Sequence, residues 1–305
     1  MIDPQTQRKA TCLQPASPLS TDHTTEKKDM TDKIATQPEL VSDLYDVFTH
    51  MFLRCWGENF HYGYWLSDED DSSVDVATDR LTDLLIERLE LRPGQRMLDV
   101  GCGIGTPALR LAGTVEADIT GVTINLGQAR EANARAAAAG LSHRVKFDHA
   151  DAMALPYPDA SFDAAWAFES LLHMDRSRAL AEMKRVLRPG GRLVIADTCQ
   201  HGPIGPEYQD ELDDARAKMA IVEIPSIDDY RASITGAGLE LDEVLDVSEH
   251  TRRTMRIMGE GASEHRSDLE EQFGDAARQL IEVLVHPAST LPVFGYLVAS
   301  ARKMP

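Results

Sequence analysis

Eight residues, LDVGCGIG (98–105), constrain this chain more than any other stretch. Gly101, Gly103 and Gly105 lie between an apolar run that reads as a buried strand and a segment that reads as a helix. Glycine at such a junction lets the backbone turn sharply and approach a ligand closely, because no side chain stands in the way. The spacing is G-x-G-x-G, which matches neither the G-x-G-x-x-G of dinucleotide folds nor the G-K-[ST] ending of a phosphate loop. Asp99, just inside the strand end, would repel a pyrophosphate. It suits a ligand that carries a cationic amino group.

Strands and helices alternate around this junction. Strand 96–100 leads to helix 107–112, strand 118–123 (DITGVT), helix 126–139 and strand 144–148. Strand 162–168, helix 176–187, the turn RPGG and strand 192–197 follow. Helices of this length between apolar strands imply βαβ units, and so a parallel sheet covered on both faces. Upstream, a helix over 39–53 leads into the aromatic loop WGENFHYGYW, and Leu81, Leu84, Leu85 and Leu89 share one face of a helix over 78–89. After Asp197 the rhythm changes. Tyr208, Leu212, Ala215, Met219 and Val222 recur at helical spacing over 207–222. A helix at 226–236, a strand at 239–247, a helix at 268–285 and a last strand at 294–301 complete the pattern. Ligands of open α/β sheets bind at the carboxyl ends of strands. A helix inserted just past such an end, within about 203–225, therefore reads as a lid.

Composition removes several partners. A formal net charge of -19 argues against a nucleic-acid backbone, which needs basic surface to displace counterions, and against an anionic membrane surface. No apolar run approaches the roughly 20 residues of a membrane-spanning helix, and the opening residues lack the apolar core of a signal peptide. Cys12, Cys55, Cys102 and Cys199 are scattered without metal-ligand spacing, as expected of reduced thiols in a cytoplasm. Residues 1–37 show no hydrophobic period and read as a disordered extension ahead of a domain at 38–305. A small molecule remains as the expected partner, and a homodimer stays open.

Asp151, in HADAMALPY after the third strand, could accept a hydrogen bond from an adenine amino group. With it, the stretches LDVGCGIGTPALRLA, DAMALPYPDASFDAAWAFESLLHM and RALAEMKRVLRPGGRLVIAD together resemble class I S-adenosylmethionine-dependent methyltransferases. The likeness runs from about residue 40 to the C-terminus and is to actinobacterial natural-product enzymes of the rebeccamycin sugar O-methyltransferase type. It implies a Rossmann-like, seven-stranded, mostly parallel sheet with helices on both faces, an N-terminal helical cap and the lid after strand five. It implies S-adenosylmethionine as cofactor, with no metal. Asp99, Gly101, Cys102, Gly103 and Gly105 would hold the methionine part, and Asp151 and Ala152 the adenine. Thr123, Ile124 and Gln128 would stand in for the usual acidic ribose contact, and Phe168 would complete the cofactor site.

In AFESLLHMD (167–175) a carboxylate and an imidazole interrupt an apolar stretch. Strand four ends beside the reacting methyl group in this fold, so Glu169, His173 and Asp197 form a candidate acid–base cluster. Each also has a structural reading, as helix cap or packed side chain. Tyr62, Tyr64, Leu172, Tyr208, Arg252 and Arg253 are candidate acceptor contacts. The sugar enzymes carry two histidines after ESL, whereas here Leu172 takes the first position and His173 the second. The leading expectation is O-methylation of a secondary-metabolite hydroxyl, with His173 as base and Asp197 assisting. The alternative is C-methylation of a prenyl diphosphate alkene. Glu169 would then be the base, His250, Arg252, Arg253 and Arg256 would hold the diphosphate, and Mg2+ would be required. N-methylation of a small amine ranks third, and a cofactor-binding module without turnover is the non-enzymatic reading.

Overall fold

The computed structural model describes residues 38–305, so the expected extension at 1–37 lies outside the described residues. Helices α1 (Pro38–Cys55) and α2 (Val74–Leu89) precede β1 (Arg96–Val100), α3 (Thr106–Thr114), β2 (Asp118–Thr123) and α4 (Leu126–Ala138). Then come β3 (Val145–His149), β4 (Phe162–Phe168), a 3-10 turn at Leu171–His173, α5 (Arg176–Val186) and β5 (Leu187–Gln200). The remainder is α6 (Gln209–Lys218), α7 (Ile227–Gly236), β6 (Leu239–Asp246), α8 (Ser248–Thr251), α9 (Thr254–Glu264), α10 (Arg266–Phe273), α11 (Asp275–Val285) and β7 (Phe294–Lys303).

All seven strands join one sheet in the order β3-β2-β1-β4-β5-β7-β6. β1 to β5 run parallel, and β7 runs antiparallel to both β5 and β6. The chain leaves β1 toward β2 and β3 on one side and returns to β4 and β5 on the other. That reversal opens a crevice at the carboxyl ends of β1 and β4, where the glycine loop and Glu169 lie. Successive strand residues feed opposite faces. Met97 packs with Leu81, Leu85 and Leu111 from α2 and α3, while Leu98 packs with Leu180, Met183 and Tyr230 from α5 and α7. A third apolar cluster joins α1, α9 and α11 through Phe48, Phe52, Met258, Ile281 and Leu284. Among the described residues no helix is long and apolar enough to cross a membrane.

Three local expectations are corrected. The RPGG turn lies inside β5 as a bulge: pairing jumps from Phe162↔Leu187 to Ala164↔Arg192, and antiparallel partners on β7 carry the strand on to Gln200. The expected 268–285 helix is broken at Gly274, whose φ is +60, and α8 and α9 precede it. α9 packs through Met255 and Met258 and also through small residues, Gly259, Gly261 and Ala262. A Cβ on Gly261 would lie 2.4 Å from the Cys55 carbonyl oxygen, so glycine is what lets α9 approach α1. Finally, the 207–222 helix starts with a 3-10 turn at Pro206–Tyr208 and stops at Lys218, because Ala220 has φ +50. Val222 falls outside it and packs on Val41 and Ala220.

Candidate active site

β1 hands over to α3 through the glycine loop. Gly101 has φ +80, and a Cβ there would lie 2.3 Å from the Ser170 Cβ. Gly105 has φ +83, and its Cβ would enter the Phe147 ring at 2.5 Å. Backbone conformation and space therefore both demand glycine. The loop faces a cleft of about 1040 Å³, counting its open mouth. Asp99, Gly101, Cys102, Gly103, Thr123, Ile124, Gln128, Asp151, Ala152 and Phe168 all line it. Gly105 does not: it shapes the turn from beneath.

Asp99 is 2% exposed and its Oδ2 has no hydrogen-bond partner. Burial pushes its carboxyl up to about 7, with the Trp166 indole N–H pulling the other way. A cationic group in the cleft would give it the missing partner. Thr123 donates to Gln128 Oε1 at 2.9 Å, and Gln128 Nε2 donates to Thr49 on α1 at 3.1 Å. Asp151 accepts from the Met153 amide at 2.8 Å and so holds its own loop in a turn.

Three residues with no expected role complete this wall. Phe60 and His61, from the aromatic loop, line the cleft, as does Tyr45 from α1. The His61 ring stacks on Phe168 at 4.0 Å and its Nδ1 donates to the Tyr62 carbonyl at 2.8 Å. Burial holds His61 down at about 3, so it stays neutral and serves as a platform behind Phe168. The signal was present as the crowded aromatics of WGENFHYGYW and the spacing Val41, Tyr45, Phe48, Phe52 on α1.

A second cavity, of about 1110 Å³ counting its mouth, adjoins the first. Its walls are mostly apolar: Phe48 and Phe52 of α1, Leu172, Leu212, Ala215 and Met219 at α6, Met255 and Met258 of α9, Leu284 and Phe294. Tyr62 and Thr198 add hydroxyl groups. Tyr45, Phe60, Glu169 and His173 line both cavities and so form the seam between them.

Two ionisable side chains at this seam differ in character. Glu169 has φ +50, a strained value for a residue with a Cβ. Its Oε1 accepts from the Tyr62 amide and from the Tyr296 hydroxyl, each at 2.7 Å. Burial, with Asp197 adding to it, pushes the carboxyl up to about 8. His173 Nδ1 lies 3.0 Å from the Ala220 carbonyl oxygen. A carbonyl only accepts, so Nδ1 carries the proton and the neutral ring has its lone pair on Nε2. Nε2 meets the Tyr45 hydroxyl at 3.1 Å, and burial lowers the His173 pKa from its usual 6.5.

Several expected residues lie elsewhere. Asp197 is fully buried and lines neither cavity. Strand alternation sends Thr198 to the second cavity and turns Asp197 to the other face, beside Tyr230 and the Leu171 amide. Tyr64 stacks on His250 at 4.3 Å, away from both cavities, and Tyr208 lines neither. The basic cluster is matched by acids and carbonyls on its own surface. Arg252 bonds Asp68 at 2.6 Å, Arg253 bonds the Asp70 carbonyl and covers the Trp65 ring, and Arg256 bonds Glu260 at 2.6 Å. It offers no seat for a diphosphate in either cavity. Among the described residues no three His, Cys, Asp or Glu side chains cluster so as to hold a metal ion.

A family model described as a methyltransferase domain matches residues 98–195. The 27-O-demethylrifamycin SV methyltransferase of Amycolatopsis mediterranei (strain S699) is 40% identical over 268 residues, 87% of this chain and 97% of that protein. The chain belongs to the S-adenosylmethionine-dependent methyltransferases. This methyltransferase is also 43% identical to methyltransferase GfsG of Streptomyces halstedii, over 70% of its own length and 77% of the relative's. Among solved structures, the [4+2]-cyclase SpnF superposes with a TM-score of 0.79 at 37% identity, covering 87% of this chain and 96% of that one. The first cavity fits the family's cofactor on two grounds: the unpartnered Asp99 Oδ2 awaits a donor, and the glycine turn leaves backbone open to a ligand.

Proposed function

We propose that this methyltransferase methylates a hydroxyl oxygen of a largely apolar secondary metabolite held in the second cavity, with His173 as the base. The observation that carries the reading is the neutral His173, its Nε2 lone pair set at the seam of the two cavities. S-adenosylmethionine supplies an electrophilic methyl group when bound. Asp99 and the glycine loop would hold its methionine part, Asp151 and Ala152 the adenine, and Thr123, Ile124 and Gln128 the ribose. Transfer from a sulfonium is an in-line displacement, so positioning and exclusion of water by the apolar walls supply much of the rate.

His173 Nε2 takes the hydroxyl proton as the oxygen becomes the nucleophile, and the Nδ1–H to Ala220 bond stabilises the imidazolium that forms. Tyr45, which now donates to Nε2, gives up that place to the acceptor hydroxyl. Glu169 holds Tyr62 and Tyr296 in position. With its carboxyl at about 8 it is protonated over much of the neutral range and is a poor base there. Asp197 acts from below, steadying the turn that carries His173. α6 and the loop to Ile224 form the lid, and the name of the rifamycin relative, an O-demethyl substrate's methyltransferase, supports oxygen as the acceptor atom.

Incubation with methyl-labelled S-adenosylmethionine and a panel of apolar hydroxylated metabolites tests this, with NMR locating the label. A labelled O-methyl product is expected. A label on carbon or nitrogen overturns the assignment, and so does ring closure of a polyene without methyl transfer.

A further inference from the structure

The second cavity holds a guanidinium among its mostly apolar walls. Leu212, Ala215 and Met219 present the inward stripe of α6, and Arg216 stands on the same stripe. It is the one arginine or lysine among the described residues lining this cavity. Its Nη2 donates to the Val222 carbonyl and its Nη1 lies 3.4 Å from Asp213 Oδ1, but its Nε is buried with no partner. A buried N–H donor without an acceptor is costly; Nε is closed off as the side chain stands, and a turn of the guanidinium toward the cavity that Arg216 lines would offer it to a ligand oxygen. Arg216 is also held in a frame with the base. Val222 donates its amide to the Leu172 carbonyl at 2.8 Å, and Ala220, in the same turn, takes the His173 Nδ1–H at 3.0 Å.

We propose that Arg216 is the second anchor of the acceptor: its Nε–H bonds a neutral carbonyl oxygen on the molecule whose hydroxyl His173 deprotonates. This rests on the reading of the second cavity as the acceptor site. The acceptor class is therefore an apolar hydroxylated ketone, ester or quinone, held at two oxygens. A carboxylate is disfavoured, because Asp213 already balances the guanidinium and Glu211 lines the same cavity.

Three hydroxynaphthalenes test this, bearing a methyl ketone, a carboxylate or an ethyl group. Their binding to the S-adenosylhomocysteine-loaded protein is measured by calorimetry. The ketone should bind about tenfold more tightly than the ethyl compound, and the carboxylate no better than the ethyl compound. Arg216→Lys keeps the cation and a donor for the Val222 carbonyl but lacks the Nε–H, and Arg216→Met removes both. In each the ketone advantage should fall below about threefold while S-adenosylhomocysteine affinity holds. Equal binding of ketone and ethyl compound by the native protein overturns the proposal, as does a ketone preference that survives in Arg216→Met. If none of the three binds, the acceptor-cavity reading fails, and this proposal with it.

Discussion

The two cavities that meet at Glu169 are built in different ways. The cofactor cleft is formed by strand ends and the loops that leave them, and one contiguous stretch, 98–105, supplies much of its floor. Its specificity is largely a matter of backbone: left-handed glycines, open amides and one buried carboxylate. The second cavity, proposed to hold the acceptor, is assembled from distant segments, α1, the aromatic loop, the Leu171–His173 turn, α6, α9, α11 and the start of β7. Its character lies in side chains on helix faces. One half can thus stay fixed while the other changes its walls, and the seam residues alone answer to both.

Substitutions in one half should leave the other untouched. The largest effect is expected from Asp99→Ala, which removes the carboxylate proposed to meet the cofactor's amino group. Cofactor affinity should fall by about 30- to 150-fold, the worth of a charged hydrogen bond, with binding of the hydroxynaphthyl ketone unchanged. Calorimetric titration with S-adenosylhomocysteine measures it, and less than about threefold weakening in a folded variant removes Asp99 from the site.

The mirror-image change is Leu212→Ala in the lid. Losing that apolar contact should weaken an apolar acceptor by about five- to thirtyfold, while cofactor affinity stays within error. A variant that melts earlier but keeps its acceptor profile would make α6 ordinary packing.

A smaller effect, read by pH, comes from three acids, Glu169 at the seam, Asp99 in the cleft and the buried Asp197 beneath them. Burial raises Glu169 from 4.5 to about 8, Asp99 from 3.8 to about 7 and Asp197 from 3.8 to about 7. Raised carboxyls bind protons more tightly in the folded chain than in the unfolded one. Their contribution to stability is therefore complete below their unfolded values and is lost as pH rises through 7 to 8. The melting temperature of the cofactor-free protein should fall between about pH 5 and 8, by roughly 2–4 °C for each kcal/mol lost. S-adenosylhomocysteine should flatten part of that slope by giving Asp99 a cationic partner. A melting temperature that rises across this window contradicts the burial of these acids.

The same division explains what could be read from the residues alone. β1, β2 and β4 coincide with their apolar runs, and the glycine loop declares its turn, because both signals are local. The bulge in β5 depends on register with β4, and α9 depends on a glycine that fits only once α1 is beside it. Neither relation exists in a one-dimensional pattern. Tyr45 and Arg216 were hidden for a like reason, since a helix face acquires meaning only when its neighbour is known. The basic run at 250–256 reads differently in the fold because the partners of Arg252 and Arg253, the Asp68 carboxylate and the Asp70 carbonyl, lie far away in sequence. Asp197 was misplaced although strand alternation held the clue: residues 196 and 198 share a face, and 197 takes the other.

Whether the imidazole or the carboxyl at the seam takes the acceptor's proton is decided by single-turnover methyl transfer in two shape-preserving variants, using the acceptor found in the labelled-methyl screen. His173→Gln should slow transfer by about 10²- to 10⁴-fold with cofactor affinity intact, as loss of a general base does. Glu169→Gln can still accept from the Tyr62 amide and the Tyr296 hydroxyl, and should remain within about tenfold of the native rate. A Glu169→Gln protein that binds cofactor normally but is dead, beside a His173→Gln protein that still turns over, would contradict the assignment and move the chemistry from oxygen to carbon.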